Sequence, residues 1–311
     1  MTNSLAPALV LGALLALTAD TPAQRGRPTG SRPLQVSPGP ELWVSGYDSE
    51  ALHRFGATSG DQRPPLPGIA GAQSVQLGPD GLYYVVAEKV NQVLRYRLDR
   101  LVDVFVGDDP GTSANEAGPL DGPTSAVFGP DGSLYVGSFH NDRVLRYDGQ
   151  SGAYRGVFVR AGSGSLDGPD AGMTFGPDGH LYVPSFHNDR VLRYDGGTGA
   201  DLGGFVSPRS GGLRNPRMLL FRPGGNLWVS SWGSNRILEF DSTGGFLREI
   251  VSVTRPTGFA VSPFDGDLYV TSDQTNRVNR FDLLTGERVE IFVPAAAGVD
   301  GATFLTFVDR Y

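Results

Sequence analysis

The chain has 311 residues, among them 44 glycines and 23 prolines, a density of helix-breaking residues that excludes an all-helical fold. Apolar residues make up 39% and aromatics 10%, enough for a real core, which excludes wholesale disorder. The formal charge of −7 comes without any Lys/Arg block and leaves no basis for a nucleic-acid partner; the lack of cysteine removes disulfides, thiolate metal sites and cysteine nucleophiles.

In chain order, the first feature is an apolar run from Leu5 to Leu17, too short to span a bilayer and followed by Thr21 and Ala23 in the −3 and −1 arrangement that a signal peptidase accepts. The expectation is a signal peptide over residues 1–23 with cleavage near Ala23, and a periplasmic or secreted protein. Residues 24–40, rich in Arg, Pro, Gly and Ser, read as an extended leader, and residues 41–311 as the folded domain. There is no lipobox cysteine and no apolar tail before Tyr311, so no membrane anchor is expected.

Internal repetition dominates the rest. Six segments align: VSPGPELWV (36–44), LGPDGLYYV (77–85), FGPDGSLYV (128–136), FGPDGHLYV (175–183), FRPGGNLWV (221–229) and VSPFDGDLYV (261–270). Their aromatic residues, Trp43, Tyr84, Tyr135, Tyr182, Trp228 and Tyr269, are spaced by 41, 51, 47, 46 and 41 residues, the period of four-stranded propeller blades. Within 123–159, an apolar strand meets a Gly-Pro-Asp-Gly turn, in which proline presets φ and glycine accepts a positive one. The segments SLYVGSF, RVLRYD and YRGVFV supply three further strands. The first unit lacks its first strand, and Val299–Phe307 resembles one, so the C-terminus is expected to complete the N-terminal blade and close the ring. The predicted fold is therefore all-β: one six-bladed β-propeller with four antiparallel strands per blade.

These segments resemble NHL-repeat propellers, as in Pro256–Val261, Leu268-Tyr269-Val270 and Asn276-Arg277-Val278. They are also similar to streptogramin-lyase-like propellers, which share the GPDG-x-Leu-aromatic segment and an entry such as Asn235-Arg236-Ile237. The resemblance covers nearly all of 36–308 and speaks for fold, because the repeated residues are those that build a blade. One departure is that Ser138, Ser185, Ser231 and Ser272 follow the second strand where NHL repeats commonly place aspartate.

Functional residues are sought where the repeats differ. The second-to-third-strand loops read Tyr47-Asp48, Glu88-Lys89, Phe139-His140, Phe186-His187, Trp232-Gly233 and Asp273-Gln274, a rim aromatic on one side and charged on the other. His140 and His187 are candidate acid and base, or ligands to a shared metal, although SFHNDRVLRYD occurs verbatim at 138–148 and 185–195 and a duplication carries its histidine along. The innermost strands start at Gln73, Thr124, Asp170, Arg217, Thr257 and Thr303, pointing into the channel. There Asp170 is a candidate metal ligand and Arg217 a candidate ligand-binding residue, with mutual pairing as the simpler reading. The Asn/Asp-Arg pairs, by their recurrence, are expected to tie loop backbone between blades. Asp108, Asp109, Asn115, Glu116 and Asp121 in the acidic connection 107–122 offer oxygen ligands of the kind calcium takes.

No nucleophile elbow, phosphate loop or His-Glu-x-x-His helix is present. The leading expectation is an exported propeller presenting a face to a small polar ligand or a protein, without defined catalysis. The resemblance to streptogramin lyases implies an alternative, a magnesium-dependent C–O lyase with a histidine base. A gluconolactonase-like hydrolase lacks its carboxylate set here. No cofactor is assigned; magnesium and calcium are the candidates.

Overall fold

The computed structural model of the chain describes residues 39–107 and 118–309. The expected signal peptide, the expected leader up to residue 38 and the acidic stretch 108–117, with Asp108, Asp109, Asn115 and Glu116, lie outside the described residues. The repeats fold into six four-stranded antiparallel sheets, each one blade. Blade 3 is representative, with strands Pro123–Phe128, Leu134–Ser138, Arg143–Tyr147 and Tyr154–Val159 from the inside outward. The ring closes as expected: Ala302–Val308 pairs antiparallel with Glu41–Gly46, Glu41 opposite Val308, and becomes the inner strand of blade 1.

What the repeated residues do is now clear. Each blade buries both faces against its neighbours, so the apolar clusters lie between blades; Tyr135 and Val127 of blade 3 pack with Leu181 and Tyr194 of blade 4. The aromatic of each repeat sits at that interface, Tyr135 meeting Phe158 and Phe175 edge-on at 4.6 and 5.1 Å. Its hydroxyl would be costly to bury unpaired. The aspartate four residues earlier accepts it: Tyr84 to Asp80, Tyr135 to Asp131, Tyr182 to Asp178 and Tyr269 to Asp265, at 2.8–3.2 Å. Blades 1 and 5 carry tryptophan instead, and there the same turn position is Gly39 or Gly224.

Two further repeated features join blade to blade. Asn91, Asp142, Asp189, Asn235 and Asn276 adopt left-handed backbone, which Asn and Asp tolerate. Each side chain accepts a backbone N–H from the next blade, namely from Gly122, Gly168, Asn215, Arg255 and Gly301, at 2.8–3.0 Å. This is the tie that their recurrence predicts. The serines after the second strand clamp the incoming connection. Ser138 Oγ accepts from Asp121 N at 2.9 Å and donates to Asp121 O at 3.1 Å, and Ser185 does the same to Asp167.

Blade 4 departs from the pattern. Its inner strand shrinks to Thr174–Phe175, and the segment before it leans onto blade 5, with Gly172 N donating to Arg217 O at 3.0 Å. Glycine is required at this crossing, because a Cβ on residue 172 would lie 2.3 Å from Met218 Cα. The close approach sets Asp170 beside Arg217 on the channel wall.

Candidate functional site

A cavity of about 370 Å³ opens at one mouth of the central channel. Its upper wall comes from the turns after the second strands: Tyr47 and Asp48, Glu88, Phe139, Phe186, Trp232, Asp273 and Gln274. The floor is made by the starts of the inner strands, Gln73, Thr124, Asp170, Arg217 and Thr303. Thr257, the sixth such position, does not reach the lining, its hydroxyl bonded to Thr271 and to Ala302 O.

The wall has two halves. On one, Phe139, Phe186 and Trp232 follow one another with ring centroids 6.0 and 5.9 Å apart, a continuous apolar shelf. Arg255 lies 4.3 Å over the Trp232 ring and ends the shelf. On the other half the groups are polar. Trp232 Nε1 donates to Asp273 Oδ2 at 2.6 Å, and Gln73 Nε2 donates to Glu88, which also takes a longer bond from the Tyr47 hydroxyl at 3.4 Å.

At the floor, Arg217 Nε and Nη2 donate to both oxygens of Asp170 at 2.9 and 3.3 Å, and its Nη1 stands 3.8 Å from Asp273. Burial disfavours the Arg217 charge, but Asp170, Asp273 and Glu88 outweigh it and hold the guanidinium protonated. Glu88 is pushed the other way: burial raises its pKa, and nearby Asp170 adds to this against the bond from Gln73. Burial, with the Glu88 carboxylate next to it, pushes Tyr47 up to about 12.

Nine of the residues singled out in the sequence thus meet in one cavity: Tyr47, Glu88, Phe139, Asp170, Phe186, Arg217, Trp232, Asp273 and Gln274. Three stand outside its lining. Lys89 sits 4.7 Å over the outer side of the Tyr47 ring and pairs with Glu50 at 3.2 Å. His140 lies over the preceding connection, Nδ1 3.2 Å from Asp121 Oδ1, with its side chain 54% exposed. His187 backs the shelf, its ring 5.3 Å from Phe139 and 5.1 Å from Phe186.

Arg255 is a lining residue that the sequence reading passed over. The signal was present: it precedes the proline of an inner strand where other blades have Gly122, Gly168 and Asn215. Like them it has a positive φ, here 42°, a conformation an arginine adopts only under constraint.

The residues do not fit a divalent metal. Asp170 is committed to Arg217 and to the N–H of Ala171, and among the described residues no group of three His, Asp or Glu side chains is placed to hold an ion.

No family model matches the chain, and no curated protein matches it. Solved structures do. A nidogen/laminin complex aligns with TM-score 0.66 and 16% identity over 86% of this chain and 98% of the other. Virginiamycin B lyase from Staphylococcus aureus aligns with TM-score 0.56 and 17% identity over 89% and 93%. A Bacteroides caccae protein of unknown function gives 0.65 and 13% over 87% and 99%. At these identities the likeness shows a shared propeller fold, found in a protein-binding complex and in a lyase alike.

Proposed function

We propose that this protein is a binding propeller whose channel-mouth cavity takes a small ligand with a flat apolar part and a polar end, without transforming it. The observation that carries the reading is the division of the cavity wall: the Phe139–Phe186–Trp232 shelf faces a polar half made by Gln73, Glu88 and Asp273. A mostly apolar pocket with a few placed polar groups is the ordinary form of a small-molecule site. The metal-dependent lyase reading has less support, since neither His140 nor His187 lines the cavity, and Asp170 and Glu88 are engaged with Arg217 and Gln73. Export is part of the same proposal and rests on the apolar run before Ala23. No helix among the described residues is long and apolar enough to cross a membrane.

The test is a thermal-shift screen of a small-molecule library against the wild-type chain and the Phe186→Ala and Trp232→Ala variants. A bound ligand stabilises the fold by mass action. Compounds that raise the wild-type midpoint and lose the effect in both variants support the reading; shifts indifferent to the two substitutions refute it.

A further inference from the structure

From the acceptors left open in this cavity we infer that the polar end of its ligand is a protonated amine. The inference rests on the proposed binding role and narrows it to a chemical class.

The lining carries four carboxylates, Asp48, Glu88, Asp170 and Asp273, against two guanidinium groups, Arg217 and Arg255. The floor guanidinium is already engaged. Arg217 has both Asp170 oxygens and faces Asp273, while the Arg255 guanidinium carbon stands 4.3 Å over the Trp232 ring at the end of the shelf. An anion at the floor would therefore compete with carboxylates already on Arg217, whereas a cation meets a lining with more carboxylates than guanidinium groups.

Two acceptors are specific. Gln73 is only 3% exposed, and its Oε1 has no partner. Its orientation is not free: the amide nitrogen must face the Glu88 carboxylate, because the reverse would set oxygen against oxygen, so the carbonyl remains open. Asp273 Oδ1 is likewise unpartnered, while Oδ2 holds the Trp232 indole. Both oxygens are buried as they stand, and the broad terminal torsions of Gln and Asp allow an entering donor to draw them toward it. Glu88 accepts from neutral groups, Gln73 and Tyr47, and has no ion-pair partner among the described residues. An ammonium group brings donors and one positive charge to a wall whose acceptors are Glu88, Gln73 and Asp273. The Phe186 face attracts a cation through its quadrupole, and the aromatic shelf covers an attached apolar group.

The experiment is calorimetric titration with three probes of one shape: 2-phenylethylamine, 3-phenylpropionate and 2-phenylethanol. The expected result is that the amine binds at least tenfold more tightly than either of the others. Glu88→Gln and Asp273→Asn, each checked for an intact melt, should weaken the amine tenfold and change the alcohol less than twofold. If the carboxylate or alcohol binds as tightly as the amine and Phe186→Ala abolishes that binding, the amine is wrong and the cavity stands. If none of the three binds at millimolar concentration, the amine and the cavity reading fall together.

Discussion

Asp170 of blade 4 and Arg217 of blade 5 face each other across a blade boundary, with Arg217 Nε 2.9 Å from Asp170 Oδ2 and the carboxylate side chain 2% exposed. The pair holds the cavity floor together and occupies the guanidinium there. Removing one partner leaves a buried charge uncompensated, which costs more than the pair contributes. Arg217→Met is thus expected to lower stability by about 3–5 kcal/mol in urea unfolding, and Asp170→Asn added to it to recover most of that loss. Equal destabilisation in the single and double variants would contradict this.

The approach that creates the pair depends on Gly172. A side chain there meets Met218 backbone rather than a movable group. Gly172→Ala should cost about 3 kcal/mol by overpacking, whereas Gly204→Ala, with open space around its Cβ, should cost far less. Paired urea melts read the difference.

Ring closure has its own electrostatic lock. Glu41, buried in the strand that pairs with the C-terminal one, would have its pKa raised by burial. Hydrogen bonds from Arg54, Trp43 and Arg63 outweigh this and hold it at about 2. A depressed carboxyl pKa stabilises the fold above its unfolded value and loses that contribution as pH falls through the folded value. Stability should therefore drop between about pH 4.5 and 2. Glu41→Gln should cost about 3 kcal/mol at pH 7 and flatten this drop; an unchanged acid limb in the variant's unfolding profile would contradict the assignment.

Glu88 works in the opposite direction. Its surroundings are Gln73, Tyr47, Asp170, Arg217 and His140, and burial with Asp170 raises its pKa. A raised carboxyl pKa stabilises the fold below the unfolded value, and the benefit is lost as pH rises through the folded one. Glu88→Gln should therefore melt higher than wild type at pH 7, with the gap closing below about pH 4. Melts across pH 4–8 check it. A site kept at the expense of stability is the expected signature of a functional group.

Much of the architecture is legible in the sequence, and the reasons are local. The turn, the aromatic-Val strand and the αL Asn/Asp recur because each blade solves the same packing problem. The unmatched first strand at Val299–Phe307 gave away the closure. Even the pairing of turn Asp with Tyr, and of turn Gly with Trp, can be read from the six aligned segments. The rim was legible residue by residue but not in direction. In blades 2, 3 and 4 the loop is a single 3₁₀ turn, Glu88–Val90, Phe139–Asn141 and Phe186–Asn188. Three residues per turn carry the second side chain away from the channel, so Lys89, His140 and His187 miss the cavity. Blades 1 and 6 have no such helix at this turn, and Asp48 and Gln274 reach the wall.

That geometry predicts an insensitive histidine. His140→Ala should change stability by less than about 0.5 kcal/mol, as for other exposed positions, and alter the affinity of any cavity ligand less than twofold in calorimetry.

The central claim is that the channel mouth is where this protein meets its ligand. Crystals soaked with a diverse fragment set test it most directly. The account predicts that bound fragments cluster in the cavity with their rings on Phe139, Phe186 and Trp232 and their donors toward Glu88, Gln73 and Asp273. Fragments gathered in the grooves between blades, with the channel mouth left to solvent, would contradict it.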